Sequence, residues 1–383
     1  MREVLIDVTR LLDRRWNGNI PTGVDRVSLE YIRHYANRAR AIVRYYGRSL
    51  LASKEHSQQL FQEILNPSRD FKRRVVWLLT LTGSKIQNYG SRKDCILLNT
   101  GHNGLDQKSY PSKLEKQKVK PVFFIHDLIP LQYPEYCRSG EFQRHTQRIH
   151  AALKLGRGII TNSNVTLQHL TDYASQHQLA LPPAVAAPLA AAKLPEASPQ
   201  RPLEENYFVM LGTIESRKNH WMILQIWRRL VEQMGNRAPR LVLIGKRGWE
   251  CEHVVDLLDR SEGLQGIVIE LPDSTDQEVA NYLQHAQALL FPSFAEGYGM
   301  PMMEAIAFRV PVIASDLQVF KEIAGALPVY LDPLDFTGWL AAVHDLNDPD
   351  SKTRKAKLAQ MANFELPTWH RHFELVDAMM SGL

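Results

Sequence analysis

The chain predicts an α/β protein built as two doubly wound, Rossmann-like domains, and three observations carry that prediction. Short apolar runs alternate with helix-length amphipathic stretches twice over, the pattern of parallel sheets covered by helices on both faces. A segment dominated by Pro, Ala and Ser, residues 181–202, separates the two runs of alternation. Glycine-bearing loops follow strand-like runs at Gly18 and Gly23, Gly101, Gly212, Gly245, and Gly297 with Gly299. Ligands of such sheets bind outside the carboxyl ends of the strands, so the expected site is a cleft with the two domains facing each other across it.

In the first half, residues 4–8, 41–45, 95–99, 122–125 and 158–161 read as short buried strands, with helical patterns at 24–35 and 140–155. In the second half, strands at 207–211, 240–244, 267–271, 288–291 and 312–314 alternate with helices at 221–233, 252–258, 276–285, 301–307 and 321–324. The expected division is therefore a first domain over 1–185, a linker over 186–206 and a second domain over 207–363. No repeat of solenoid period interrupts this plan.

Composition excludes several classes. A 44% apolar content in a chain of 383 residues is that of a globular protein with room for two cores. No run approaches the ~20 apolar residues of a membrane span, and the sequence opens directly on a strand-like run with no signal peptide, so a cytoplasmic location is expected. Cys95, Cys137 and Cys251 lack metal-ligand spacing and read as free thiols. The net charge of +5 conceals an asymmetry: residues 1–200 carry 29 Lys+Arg against 16 Asp+Glu (+13), and the remaining 183 carry 17 against 25 (−8). A basic first half suits an anionic partner, either nucleic acid, a membrane face or a lipid diphosphate. Nucleic acid is not expected, because no recognisable module interleaves aromatic and basic residues.

The most informative segment is Glu296-Gly-Tyr-Gly-Met-Pro-Met-Met-Glu304, preceded by the apolar run 288–291. Pro301 suits the first turn of a helix, where no amide donor is needed. Amides of the preceding turn would then face an anion at the helix start. One carboxylate before the turn and one a helical turn beyond it can hold hydroxyl-bearing groups at both ends of a phosphate-bearing ligand.

Several segments, taken in order, resemble the GT-B glycosyltransferases, specifically the large retaining family called family 4, or group 1. Phe208-Val-Met-Leu-Gly-Thr-Ile-Glu-Ser-Arg-Lys-Asn219, Leu241-Val-Leu-Ile-Gly245, the E-x7-E block from Phe291 to Ala305 and Val310-Pro-Val-Ile-Ala-Ser-Asp316 carry the likeness. In the first half, Pro21-Thr-Gly-Val-Asp-Arg-Val27 and Phe124-Ile-His-Asp-Leu-Ile-Pro130 match the family style more loosely. The resemblance implies a GT-B fold in which residues 364–383 form a closing helix that returns to the first domain.

It also implies roles. Glu296 would accept hydrogen bonds from the donor sugar, and Glu304 would grip the ribose hydroxyls. Gly299 and Met300 would offer backbone amides, and Lys218 with Arg217 would clamp the diphosphate. Many family members place a second arginine where this chain has Gly212 and Thr213, so either Arg217 takes over or Lys218 and backbone amides carry the charge. From the first domain, His126 would reach the sugar or the reacting centre, with Asp127 orienting it or shaping the turn. Thr22, Gly23, His102 and Asn103 are further candidates for donor phosphate or acceptor.

The resemblance implies no covalent nucleophile: the leaving diphosphate takes the acceptor's proton on one face of the sugar, which retains configuration. No cofactor and no metal are expected. Asp348-Pro-Asp350 has the letters of a metal motif but reads as a solvated loop, and a Lys/Arg clamp stands in for Mg²⁺. The expected reaction moves a hexose, guessed as mannose, from a GDP- or UDP-linked donor to a glycan or lipid-linked acceptor of a bacterial surface polysaccharide, with an anionic inner membrane face as a partner. The rival readings are an epimerase or a phosphorylase on this fold, or a non-catalytic sugar- or nucleic-acid-binding protein.

Overall fold

The computed structural model describes residues 2–45, 48–83, 95–107, 109–116 and 118–383. They form two compact units. The first takes residues up to Leu128, Phe142–Leu189 and Trp369–Leu383, and the second takes Ile129–Glu141 and Ala190–Thr368.

The sheet of the first unit contains β1 (Val4–Asp7), β2 (Ala39–Tyr45), β3 (Arg48–Leu51), β4 (Ile96–Asn99), β5 (Lys120–Ile125), β6 (Gly158–Thr161) and β7 (Ala184–Ala186). Their order is β3-β2-β1-β4-β5-β6-β7, parallel except for the β2–β3 hairpin. Runs such as Val4-Leu-Ile and Val122-Phe-Phe-Ile are apolar on both faces because helices cover both, and Leu5, Ile6, Phe123 and Phe124 are fully buried. The order reverses at β1, whose neighbours are β2 and β4.

The second unit holds β8 (Tyr207–Leu211), β9 (Arg240–Ile244), β10 (Val268–Leu271), β11 (Leu289–Phe291), β12 (Val312–Ser315) and β13 (Val329–Leu331). All are parallel, in the order β10-β9-β8-β11-β12-β13. The core between sheet and helices is built on Phe208, Trp227, Leu241, Leu290 and Trp339.

The closing helix, Trp369–Ser381, belongs to the first unit. His372 is fully buried there, with Nε2 2.9 Å from the Tyr31 hydroxyl and Nδ1 3.0 Å from the Ala187 carbonyl. Asp377 accepts from Tyr35 at 2.9 Å and pairs with Arg38 at 2.8 Å.

The division differs from the sequence expectation in more than one segment. Residues 129–141, expected in the first domain, pack in the second unit, where the Tyr136 ring stacks on Phe294 (5.3 Å, 9°) and Arg138 lies over Trp249 at 4.4 Å. The expected linker, 186–206, is divided as well: Ala187 and Leu189 are buried in the first unit and Ala190 begins the second.

Candidate active site

Each sheet has one place where successive strands depart in opposite directions, and there the loops beyond the strand ends spread apart to leave a crevice. In the second unit that place lies between β8 and β11, because β9 and β10 continue to one side while β12 and β13 continue to the other. The loops 212–219 and 292–299 therefore meet, tied by the Phe294 amide donating to the Arg217 carbonyl at 2.9 Å.

Three donors converge on Oε1 of Glu296: Lys218 Nζ at 2.7 Å, Arg217 Nη1 at 2.8 Å and Ser293 Oγ at 2.8 Å. Arg217 is held in turn by Glu215 at 2.5 Å and by the Ala295 carbonyl. Burial alone would raise the Glu296 carboxyl, but the charges of Arg217 and Lys218 and the hydrogen bonds from Lys218 and Ser293 outweigh it and hold the pKa at about 2. The carboxylate stays ionised at any physiological pH.

Backbone geometry makes room for this cluster. Gly212, directly after β8, has φ +124, and a Cβ there would stand 3.5 Å from Lys218 Cε and Nζ, so the ammonium lies against bare backbone. Lys218 also sits 4.8 Å from the centre of the Phe291 ring at the end of β11. Asn219 takes the left-handed conformation (φ 54) and donates to the Pro333 carbonyl at 2.8 Å, which explains an asparagine in the Arg-Lys-Asn run. His220, opening the next helix, is buried, and its pKa falls to about 3 through that burial and the neighbouring Lys218 charge.

Glu304 lies in the helix Met300–Ala307 and is buried, at 8% exposure. Gly299 caps this helix, Met300 is its first residue and Pro301 its second, one place later than expected. Pro301 has no amide to donate, and the Met302 and Met303 amides donate to the Gly299 carbonyl at 3.0 and 3.2 Å, which leaves the Met300 amide without an acceptor inside the helix. Gly299 has φ +126, and a Cβ there would meet Phe320 at 3.0 Å and Ile323 at 3.1 Å. Gly299→Ala is therefore expected to destabilise the fold by about 1–3 kcal/mol. Thermal denaturation measures this, and an unchanged midpoint would refute it.

In the first unit the corresponding place lies between β1 and β4. Asp25 is buried at the start of the helix Gly23–Tyr35. Its Oδ2 accepts from the Thr22 amide and hydroxyl, both at 2.8 Å, while Arg10 and Arg14 pair with the carboxylate at 2.9 and 2.6 Å. Thr22 and Gly23 are exposed, and nothing lies within 4 Å of where a Gly23 side chain would begin.

His126, beyond β5, is buried against Phe124 with ring centres 4.4 Å apart, and its Nε2 donates to the Thr100 carbonyl at 2.7 Å. That bond places the proton on Nε2 and leaves Nδ1 as an acceptor. Burial lowers its pKa to about 4, so the ring is neutral at physiological pH. His102 follows β4 with φ 56, and its ring lies 5.4 Å from that of His126 and 5.8 Å from that of His145. Its buried Nε2 has no hydrogen-bond partner among the described residues. The carbonyls of Asn103 and Asp127 are engaged, by Arg44 at 2.7 Å and by the His145 ring at 3.1 Å.

The predicted residues thus divide between the two units: Gly212, Arg217, Lys218, Glu296, Gly299, Met300 and Glu304 belong to the second, where Arg217, Lys218 and Glu296 are in contact, and Thr22, Gly23, His102, Asn103, His126 and Asp127 belong to the first.

The family model described as "Glycosyl transferases group 1" matches residues 195–348, which include every member of the second group. Residues 195–348 form a group 1 glycosyl transferase domain. The O-antigen chain mannosyltransferase B of Escherichia coli is 26% identical over 266 residues, covering 68% of each chain. The serotype-specific mannosyltransferase WbdA of the same organism is 29% identical over 223 residues, which span 53% of this chain but only 26% of that protein. Anabaena HepE in complex with UDP-glucose superposes over the full length of both chains with a TM-score of 0.70 at 12% identity. The fold is GT-B.

Within this glycosyl transferase domain, sequence reasoning passed over two residues that the geometry brings forward. Glu215 stood in the quoted Glu-Ser-Arg-Lys-Asn block, where its pairing with Arg217 two residues on was available as a signal. Ser293 has no such signal, since only the folded loop turns its hydroxyl to Glu296. In the first unit Asp25, Arg10 and Arg14 were also missed, although Thr22-Gly-Val-Asp25 has the spacing of a capping box. Asp348 and Asp350 occupy an exposed turn between the helices Phe336–Asn347 and Lys352–Ala362. Among the described residues no cluster of three or more His, Cys, Asp or Glu side chains could hold a metal ion.

Proposed function

We propose that the chain is a retaining hexosyltransferase that moves mannose from a nucleoside-diphosphate donor, GDP-mannose, to a hydroxyl of a glycan or lipid-linked acceptor in bacterial surface polysaccharide synthesis. The observation that carries this reading is the Lys218–Glu296 pair in the β8/β11 crevice, beside the start of the Glu304 helix. The pair supplies a cation for a diphosphate and an ionised acceptor for sugar hydroxyls, and Glu304 lies one helical turn beyond Met300 for the ribose. The names of the E. coli relatives support mannose and O-antigen synthesis.

The bond from sugar C1 to the diphosphate oxygen breaks as C1 bonds to the acceptor oxygen on the same face, and the acceptor's proton passes to the departing diphosphate. Negative charge grows on that diphosphate, so a cation fixed beside it stabilises the transition state more than the ground state. Glu296 orients the ring, and a charged acceptor forms hydrogen bonds about twice as strong as a neutral one does. His126, neutral with Nδ1 as an acceptor, suits a positioning contact better than proton transfer. The basic first unit is assigned to the acceptor, presented at an anionic membrane face. Among the described residues no helix is long and apolar enough to cross a membrane.

The test is thermal stabilisation across guanosine and uridine diphosphates and their sugars. A ligand at a hundredfold excess over Kd adds roughly 2.7 kcal/mol. GDP-mannose should give the largest shift, and Glu304→Ala should abolish it. A parent protein shifted by none of the panel would sink the proposal, and donor turnover that needs free phosphate or no acceptor would replace it with a phosphorylase or an epimerase.

A further inference from the structure

The exposed apolar residues of this chain are not scattered. Of the eight large hydrophobic side chains that stand exposed among the described residues, four lie together in the first unit: Trp16 (39%), Ile20 (44%), Val76 (50%) and Trp77 (58%). Lys72 links them: from the helix Phe71–Gly83, which carries Val76 and Trp77, its Nζ lies 5.4 Å from the centre of the Trp16 ring at the end of the helix Thr9–Trp16, and it lines one hollow with Ile20. On the second helix, Lys72 and Val76, like Arg73 and Trp77, are four residues apart and so share a side. The same helix buries Phe71, Val75 and Leu78, so the exposed apolar pair is surplus to its packing.

A hollow of about 480 Å³ opens in this patch, and its walls include four cations, Arg15, Arg69, Lys72 and Arg73, against one carboxylate, Asp70. Arg74, the next residue, is turned away and pairs with Glu63 at 2.9 Å.

We propose that this patch is the surface by which the protein docks on an anionic phospholipid bilayer, with the tryptophans and aliphatic tips entering the headgroup boundary and the basic hollow receiving lipid phosphates. Tryptophan beside aliphatic residues and flanked by Lys and Arg is the composition that partitions into a membrane interface. The excess of cations matches the negative potential of such a surface. A second copy of the chain is a poorer occupant, because a two-fold contact would set this cationic patch against itself. The proposal specifies the membrane face invoked in the proposed function and rests on that reading for its purpose, although docking is measurable without it.

The experiment is flotation of the full chain with two kinds of vesicle: phosphatidylethanolamine with phosphatidylglycerol in equal parts, and phosphatidylcholine alone. The parent should float with the first and not the second, and added salt should release it. Lys72→Gln with Arg73→Gln should weaken partition about 25-fold, each cation contributing roughly fivefold. Val76→Ser with Trp77→Ser should weaken it by at least about tenfold, with the GDP-mannose thermal shift unchanged in both variants. Equal flotation with phosphatidylcholine, or parental flotation by both variants, overturns the proposal. So does a solution mass that falls from dimer to monomer in the Trp77 variant, which would make the patch an interface between copies. Failure of the nucleotide shift in the parent would count against the proposed function and leave the flotation result standing.

Discussion

Glu296→Gln should lower kcat/KM for the donor sugar roughly 10- to 200-fold, the range that follows from losing a hydrogen bond to a charged group worth about 1.5–3 kcal/mol. Affinity for the bare nucleoside diphosphate should stay the same or rise. The reason is geometric: Lys218 and Arg217 both point at Oε1 of Glu296 from less than 3 Å. A neutral amide in that place no longer competes with an arriving diphosphate for the ammonium of Lys218. Calorimetric titration with GDP beside steady-state kinetics separates the two effects. Equal losses in both measurements would mean that the substitution disordered the loop, and the assignment of Glu296 to the sugar would fail.

The same substitution has a pH signature. The carboxyl titrates at about 2 in the folded chain against an ordinary 4.5. A lowered pKa contributes stability that is complete above the ordinary value and disappears as pH falls through the folded one. The parent should therefore lose roughly 3 kcal/mol between about pH 5 and pH 2 on account of this group. In the glutamine variant that part of the acid transition should be missing, with lower stability at neutral pH in exchange.

How much of this was legible beforehand depended on what each residue answers to. Five of the six strands of the second sheet could be read, since β8 and β11 are apolar runs of five and three residues and β9 is apolar after Arg240, whereas β13, three half-buried residues, gave no such run. The helix after Gly299 was visible from Pro301, and the observed start differs by a single position. The first unit was harder. Its helices Lys54–Leu65 and Phe71–Gly83 follow a short antiparallel hairpin, β2–β3, that has no counterpart in a simple strand–helix alternation. The packing of residues 129–141 in the second unit includes two ring contacts, Tyr136 with Phe294 and Arg138 with Trp249, made more than a hundred residues away in sequence. At the site, resemblance supplied Lys218 and Glu296 as separate functional residues. That they bind each other, and that Arg217 is shared with Glu215, follows from the crossing of two loops and not from either loop's letters.

That pairing sets the expectation for Lys218→Ala, the harshest single change at this site. Turnover should fall about 10²–10³-fold, as when one fixed donor to a developing oxyanion is removed. Arg217 is a poor substitute, because Glu215 and the Ala295 carbonyl already hold its guanidinium. The fold should also weaken, since Glu296 loses one of its partners. Breaking a buried pair outright costs about 3–5 kcal/mol, but Arg217 and Ser293 remain on Oε1, so a smaller loss of ~1–3 kcal/mol is expected. Chemistry and stability can be told apart with a glycosyl fluoride donor activated by free GDP or used alone, whose leaving group is fluoride and not diphosphate. If Lys218 acts on the departing diphosphate, the variant's deficit should shrink sharply when the fluoride is used alone. A deficit of the same size with both donors would show that the lysine shapes the crevice without stabilising the leaving group.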